Sequence, residues 1–316
     1  MSVIYKSTNG DILTEVLGTV KLKGNLFCST RFSAPWAMSL PKSQFAHFHI
    51  IERGRGWVTI MNHLPVLVGT GDLVIIPHGL GHVLGDDPAT PALPLEEIAA
   101  RGILGHNGLR HGGAGLETQV VCGSFNFENR TANPILALLP PLIHLRSSDG
   151  ETHEWLGRTL RMLTDEARHA RQGSGTIITR LTDVIFVQAM RAWIEEQPQG
   201  KGGWLGALRD PQIGAALGLI HRAPESTWTV SSLAAEAGMS RSPFAAKFTA
   251  LVGEPPLSYL TYWRMQLAAE LLSNERLSVS ETAARVGYVS DAAFSRAFRR
   301  RFEMSPGQYR SRRDAA

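Results

Sequence analysis

The sequence is poor in cysteine, in long apolar runs and in charge of one sign. Two cysteines among 316 residues cannot build a disulfide framework, which excludes the small secreted disulfide scaffolds and points to a reduced, cytoplasmic setting. No apolar run approaches the ~20 residues that cross a bilayer, so no membrane role is expected. The opening stretch MSVIYKSTNGDILTEV has no basic segment followed by an apolar one, and no signal peptide is expected. What is present suffices for ordinary globular cores: 43% of residues are hydrophobic, against the low values of disordered chains. The length allows about two domains.

The net charge of +4 is small but unevenly spread. Residues 241–316 hold 12 Lys/Arg against 7 Asp/Glu, a net of +5, so everything upstream nets −1. A basic C-terminal region suits a phosphate-bearing partner.

The same region contains a repeat. Residues 234–259 read AAEAGMSRSPFAAKFTALVGEPPLSY and residues 283–309 read AARVGYVSDAAFSRAFRRRFEMSPGQY. Gly238 pairs with Gly287, Phe244 with Phe294, Phe248 with Phe298, Pro256 with Pro306 and Tyr259 with Tyr309. The offset is 49 at the glycines and 50 afterwards, so the second turn carries one extra residue. Each copy predicts a short helix stopped by a left-handed glycine and a second helix capped by serine: Ser240 or Ser242 in the first copy, Ser290 in the second. Phe244, Phe248 and Leu251 form the inward face of one second helix, and Phe294, Phe298 and Phe302 that of the other. Between the copies, residues 257–273 predict one continuous amphipathic helix. Its 17 residues span roughly 25 Å, a rod able to set two recognition helices about one DNA turn apart.

Upstream, residues from about 20 to 126 read as β-structure. Short apolar runs such as HFHIIERGRG, WVTIM, GDLVIIPHGLGHVLGD and TQVVCGSFNF end in turn signals and predict an antiparallel barrel or sandwich. Residues 86–116 interrupt this as a Pro- and Gly-rich loop with a helical turn. From Asn133 to about Glu196 the pattern is helical, and Ile178, Leu181, Val184, Ile185, Val187, Met190 and Trp193 form a broad apolar stripe. That stripe either packs on the barrel of its own chain or forms a dimer seam. The seam is preferred because two helices without a third neighbour have apolar surface to spare. Residues 195–204 are the linker, which gives domains over 1–200 and 212–316.

The C-terminal motifs carry a resemblance. A-x-x-x-G-M-S-x-S-x-F-x-x-x-F, then G-E-P-P-x-x-Y-L-x-x-x-R-M, and in the second copy A-x-x-V-G-Y-x-S-x-x-x-F-x-R-x-F followed by SPGQYR, resemble the DNA-binding domain of the AraC/XylS transcription regulators over residues 212–313. The resemblance implies an all-α domain with two helix-turn-helix units that binds double-stranded promoter DNA. It places Arg241, Ser242, Ala245, Ala246 and Lys247 on the first recognition helix, and Asp291, Ala292, Ser295, Arg296, Arg299 and Arg300 on the second. Ala245 and Ala246 are shorter than the polar residues often found there. The first helix is therefore expected to read groove shape, or to hold position through Arg241 and Lys247 on phosphates, more than to read bases. Arg264, inside the linking helix, reads as structural.

The N-terminal section resembles the cupin-type heads of a subset of these regulators, a subset that includes reactive-chlorine-responsive activators. Gly71 to His82 matches G-x5-P-x-G-x2-H, the second cupin motif, and HFHIIERGRG resembles the end of the first. His47, His49 and His82 would supply three imidazoles to a divalent transition metal. The alternative is barrel histidines bonded to polar neighbours, and the customary H-x-H pair upstream is missing. Cys28 and Cys122 lie on an early and a late strand, either as an oxidant-sensing pair, which the resemblance implies, or as buried structural thiols. The expected protein is a non-enzymatic regulator whose cupin-like head receives a small-molecule or oxidant signal, pairs two subunits and acts with RNA polymerase. The competing reading is a metal-dependent cupin enzyme with a DNA-binding appendage.

Overall fold

The computed structural model describes residues 22–101, 103–105, 108–127, 136, 139–147, 151–169, 171–196, 203–274 and 277–311. It contains two compact units: Leu22–Phe127 together with Leu139–Glu195, and a second built mainly on Glu196–Ala316. The first is sheet-rich and the second helical, as the sequence predicts. The expected linker at 195–204 lies largely outside the described residues.

The first unit has twelve described strands: β1 (Leu22–Ser33), β2 (Ala37–Leu40), β3 (Ala46–Arg53), β4 (Arg55–Ile60), β5 (Val66–Gly69), β6 (Leu73–Ile76), β7 (His82–Gly85), β8 (Leu93–Pro94), β9 (Ile103–Gly105), β10 (Gly108–Gly112), β11 (Glu117–Phe127) and β12 (Ile143–Leu145). They form a seven-stranded sheet ordered β12-β6-β3-β11-β1-β10-β9 and a five-stranded sheet ordered β5-β4-β7-β2-β8. Both sheets contribute to one apolar core, with Ile51, Val74, Ile76 and Val120 from the larger and Met38, Val58, Val68 and Leu84 from the smaller.

Two expectations are corrected. Residues 86–116 are not simply a loop. They hold β8, a short helix α1 (Leu95–Arg101), β9 and β10. β10 joins the sheet parallel to β1, and Ile98 and Leu109 enter the core. The segment's Pro and Gly residues are punctuation between short elements whose pairing is long-range. The section expected to be helical from Asn133 to about Glu196 is interrupted by a strand. Ile143–Leu145 is a strand paired to β6, as the Pro140–Pro141 pair just before it would favour. His144 Nε2 donates to Asp72 across 2.9 Å. Beyond that strand the helices are α2 (Glu151–His169) and α3 (Ser174–Glu196).

The outer face of the larger sheet explains why β3 is buried without a break from Ala46 to Ile51. Phe186 of α3 packs on Phe125 and Phe127, and Phe125 on Phe48. β3 is thus covered on both faces, which removes the alternation of a half-exposed strand. Part of the apolar stripe of α3 is accounted for in this way: Ile185, Met190 and Trp193 are buried, while Val184 remains exposed.

The helical unit comprises α4 (Gly203–Ala207), α5 (Pro211–Arg222), α6 (Val230–Glu236), α7 (Arg241–Val252), α8 (Pro256–Asn274), α9 (Val279–Arg285), α10 (Asp291–Phe302) and α11 (Pro306–Ser311). Asp210 caps α5 by accepting from the amides of Gln212 and Ile213. Reciprocal capping boxes start α6 at Thr229 and α9 at Ser278. α8 differs from the expected amphipathic rod: Tyr259, Leu260, Trp263, Met265, Gln266, Ala268, Ala269 and Leu272 are all buried. It packs against α7 on one side of the repeat and against α9, α10 and α11 on the other, so it is buried on more than one face.

Candidate nucleic-acid interface and barrel interior

α6–α7 and α9–α10 are the two predicted helix–turn–helix units. Their turns hold Gly238 at φ 66° and Gly287 at φ 81°, the left-handed backbone that favours glycine. Phe244 and Phe248 of α7, and Phe294 and Phe298 of α10, are fully buried and stack as matching tilted pairs, each 5.7 Å between ring centres. Leu251 and Phe302 are only half-buried, and Val252 rather than Leu251 completes the inner face of α7. Ser290 caps α10 by accepting from the amide of Ala293. Ser240 occupies the cap position of α7, but its side chain makes no capping bond.

Pinning the aromatic face turns the other face outward. On α7 this exposes Arg241, Ser242 and Ala246, with Ala245 half-buried. On α10 it exposes Asp291, Ala292, Arg296, Arg299 and Arg300, with Ser295 half-buried. Asp291 accepts a hydrogen bond from Ser280 at 3.2 Å. Arg241, Arg296 and Arg299 enter no ion pair among the described residues, so their charge is available to phosphates or base edges.

Lys247 departs from its expected place. Its Nζ pairs with Asp210 at 2.7 Å and donates to Gln212 at 2.9 Å, tying α7 to the start of α5. Burial works to raise the Asp210 carboxyl, but the Lys247 ammonium and two backbone amides outweigh it, and the net pKa is lowered. Lys247 is therefore already neutralised within the fold.

Inside the barrel, His47, His49 and His82 lie together as expected. His49 Nε2 and His82 Nε2 are 2.7 Å apart. His49 Nδ1 is 3.1 Å from Cys122 Sγ, His82 Nδ1 is 2.9 Å from the Leu80 carbonyl, and His47 Nε2 is 2.8 Å from Ser43 Oγ. Burial lowers the pKa of His49, and the neighbouring His82 and His47 lower it further. Burial also lowers that of His82, against the Leu80 hydrogen bond that raises it. Neutral rings fix the direction of the chain. His82 Nδ1–H donates to Leu80, so its Nε2 accepts from His49 Nε2–H. His49 Nδ1 then accepts from the Cys122 thiol.

This arrangement does not fit the metal site expected from the three histidines. Two imidazoles on one ion, each ~2.0–2.1 Å from it, keep their nitrogens roughly 3 Å or more apart, whereas His49 and His82 are in direct hydrogen-bond contact. The third imidazole is engaged by Ser43. Among the described residues no group of three or more His, Cys, Asp or Glu is arranged to hold a metal. In this structure each of the three histidines is bonded to a polar neighbour. Cys28 and Cys122 are direct cross-strand partners in the β1–β11 register. Cys122 is buried, and the side chain of Cys28 lies outside the described residues.

Residues 11–195 match the Cupin family, and residues 233–312 match a family described as a helix-turn-helix domain. The HTH-type transcriptional regulator AlkR of Acinetobacter baylyi is 32% identical over 307 residues, covering 95% of this chain and 99% of its own. A Streptomyces lividans chain described as an AraC-like transcription regulator is 32% identical over 303 residues, covering 95% and 98%. The chain belongs to the AraC-type transcription regulators. This regulator is also 35% identical over 196 residues to the RCS-specific activator RclR of Escherichia coli, covering 62% of this chain and 68% of that one. Among solved structures, the DNA-binding domain of AdpA in complex with a target DNA is 36% identical, covers 34% of this chain and 95% of that one, and has a TM-score of 0.32. By the family matches and the full-length relatives, the regulator is a DNA-binding AraC-family protein with a cupin N-terminal domain and a helix-turn-helix C-terminal domain. No described helix is long and apolar enough to cross a membrane.

Sequence reasoning missed one arginine of this regulator. Arg301, next to Arg299 and Arg300, turns back over the Tyr262 ring of α8 at 4.9 Å. Arg301 is exposed like Arg299 and Arg300, but three consecutive helical residues span ~200° of the helix surface, so one end of the run lies beside α8. That geometry was the available signal.

Proposed function

We propose that the regulator reads a two-part promoter element through α7 and α10. The observation that carries this is the matched pair of aromatic-backed helices with outward Arg241 and Ser242 on one, and Arg296, Arg299 and Ala292 on the other. Arg296 is assigned to base edges and Arg241 and Arg299 to phosphates. Ala245 and Ala246 offer only methyl contacts, so α10 carries more of the base readout. Selection from random-sequence duplexes with the full chain, followed by gel-shift titration, tests the assignment. Arg296→Ala is expected to cost about 1–3 kcal/mol and to relax preference at one position if it makes a bidentate base contact. Unchanged affinity and preference reject it.

The cupin domain acts as a receptor rather than an enzyme, and the regulator works in the cytoplasm with RNA polymerase. An oxidant is the favoured signal. Directly opposed antiparallel residues stand about 4.5–5.5 Å apart at Cα, inside the ~4.4–6.8 Å that a disulfide accepts. The Cys122 sulfur lies 3.1 Å from His49 Nδ1, and a relative is named RCS-specific. Cys28→Ser and Cys122→Ser variants that still switch DNA binding on oxidation would remove this reading. Two copies pair through the stripe of α3 that its own barrel leaves uncovered, with Ile177 and Val184 exposed. Charge substitution at Val184, followed by sedimentation, tests that seam.

A further inference from the structure

We infer that Arg264 is a positioning residue that fixes one recognition helix relative to the other, so that the regulator accepts only one spacing between the two halves of its DNA site. The purpose assigned to that placement rests on the proposed DNA reading; the placement itself does not.

Arg264 projects from the middle of α8 into the seam between the two repeats. Its Nε donates to the Pro224 carbonyl at 2.6 Å and its Nη2 to the Ser226 carbonyl at 2.9 Å. These carbonyls belong to the loop between α5 and α6, which leads into the first helix-turn-helix. The same guanidinium lies 5.7 Å from the centre of the Tyr288 ring, in the turn of the second. One side chain therefore holds both halves at once. The fit is close: a Cβ on Gly287 would lie 2.5 Å from the Glu225 carbonyl oxygen and 2.8 Å from Arg264 Nη2. The turn of the second unit is thus pressed against the loop that precedes the first.

A second tie lies on another side of the same helix. Residues two apart on a helix point ~200° apart, and Tyr262 carries Arg301 of α10 over its ring at 4.9 Å. The charge of Arg301 also acts on Glu254, just beyond the end of α7. α8 is therefore clamped to both recognition units on two faces, by arginine on carbonyls and by arginine on an aromatic ring. A planar guanidinium can fill both positions because it offers donors in a fixed fork and stacks on rings, which an ammonium cannot reproduce.

The consequence is energetic. When two modules are joined rigidly at the matching span, the second engages at high effective concentration; a looser joint lowers that concentration and accepts more spacings. Loss of Arg264 should leave each module's own contacts intact while weakening their joint binding.

The test has two arms on the full chain. In the first, spin labels are placed at Ala250→Cys and Ala292→Cys in a Cys28→Ser/Cys122→Ser background, and the interspin distance distribution is measured without DNA. It is expected to be narrow with Arg264, broad with Arg264→Ala, and intermediate with Arg264→Lys. In the second, the native-cysteine chain binds a duplex that the wild type has selected from random sequence, variants of that duplex with one or two base pairs inserted between its halves, and each half alone. Arg264→Ala is expected to lose about tenfold on the intact duplex, to stay within about twofold on either half, and to lose less than the wild type on insertion. A distance distribution that stays narrow in folded Arg264→Ala overturns the inference. So does an equal loss on intact and half duplexes, which would mean a DNA contact or a damaged fold. Failure of the wild type to select any sequence would instead reject the DNA reading, and the distance arm would still decide the role of Arg264.

Discussion

Gly238 and Gly287 occupy the same place in two copies of one turn, at φ 66° and 81°, yet only the second is crowded. A Cβ on Gly238 meets nothing within 4 Å, whereas one on Gly287 collides with the Glu225 backbone. The first glycine answers to its backbone angle alone; the second also answers to the neighbouring repeat. Gly238→Ala is therefore expected to cost the left-handed strain, about 1–2 kcal/mol. Gly287→Ala should cost more, because backbone must move. Calorimetry of both variants checks the order, and an equal cost would mean that the contact at Gly287 yields without penalty.

Glu303 ends α10 in the left-handed region at φ 59°, where its counterpart Gly253 ends α7 at φ 94°. An L-residue there carries roughly 1–2 kcal/mol of strain, partly offset by the greater unfolded-state freedom of glycine. Glu303→Gly should stabilise the C-terminal unit by up to about 1 kcal/mol, read as a rise in its urea midpoint.

Acid should weaken the fold before any carboxylate titrates. His221 bonds to the Tyr259 hydroxyl at 2.8 Å and stacks on Trp263; burial, helped by Arg222, pulls its pKa down from 6.5 to about 3. Between those values the unfolded chain binds a proton that the folded chain refuses, so stability rises with pH and falls as pH drops. The slope is up to about 1.4 kcal/mol per pH unit for one such group. His49 and His82, also lowered, add the same sign in the barrel. Urea midpoints between pH 7.5 and 5 should decline, and His221→Gln should flatten the decline of the helical unit. A pH-independent midpoint would contradict the neutral, buried state of these rings.

Lys247 and Arg299 should separate in salt-dependence experiments. Lys247 is neutralised by Asp210, whereas Arg299 is exposed. Arg299→Ala should reduce the slope of log K against log salt by about 1 if it meets a phosphate. Lys247→Ala should leave that slope unchanged and lower thermal stability instead. A reduced slope for Lys247→Ala would return it to the phosphate contacts.

The sequence by itself determined the elements that depend on near neighbours. Glycine, serine cap and Phe-x-x-x-Phe spacing act within a dozen residues, so both helix–turn–helix units and their inward aromatics could be read directly. The resemblance of Gly71–His82 to a cupin motif likewise implied that His82 points into the barrel. Tertiary structure decided whatever depends on distant partners. Strand pairing gave residues 103–105, 108–112 and 143–145 their β-structure and set Cys28 opposite Cys122. Hydrogen bonding drew two of the three candidate metal ligands into a directed Cys122–His49–His82 chain and gave the third, His47, to Ser43. Long side chains were the least legible: Lys247, Arg264 and Arg301 each reach far enough to choose among several partners, and only the folded neighbourhood supplied Asp210, the 224–226 loop and Tyr262.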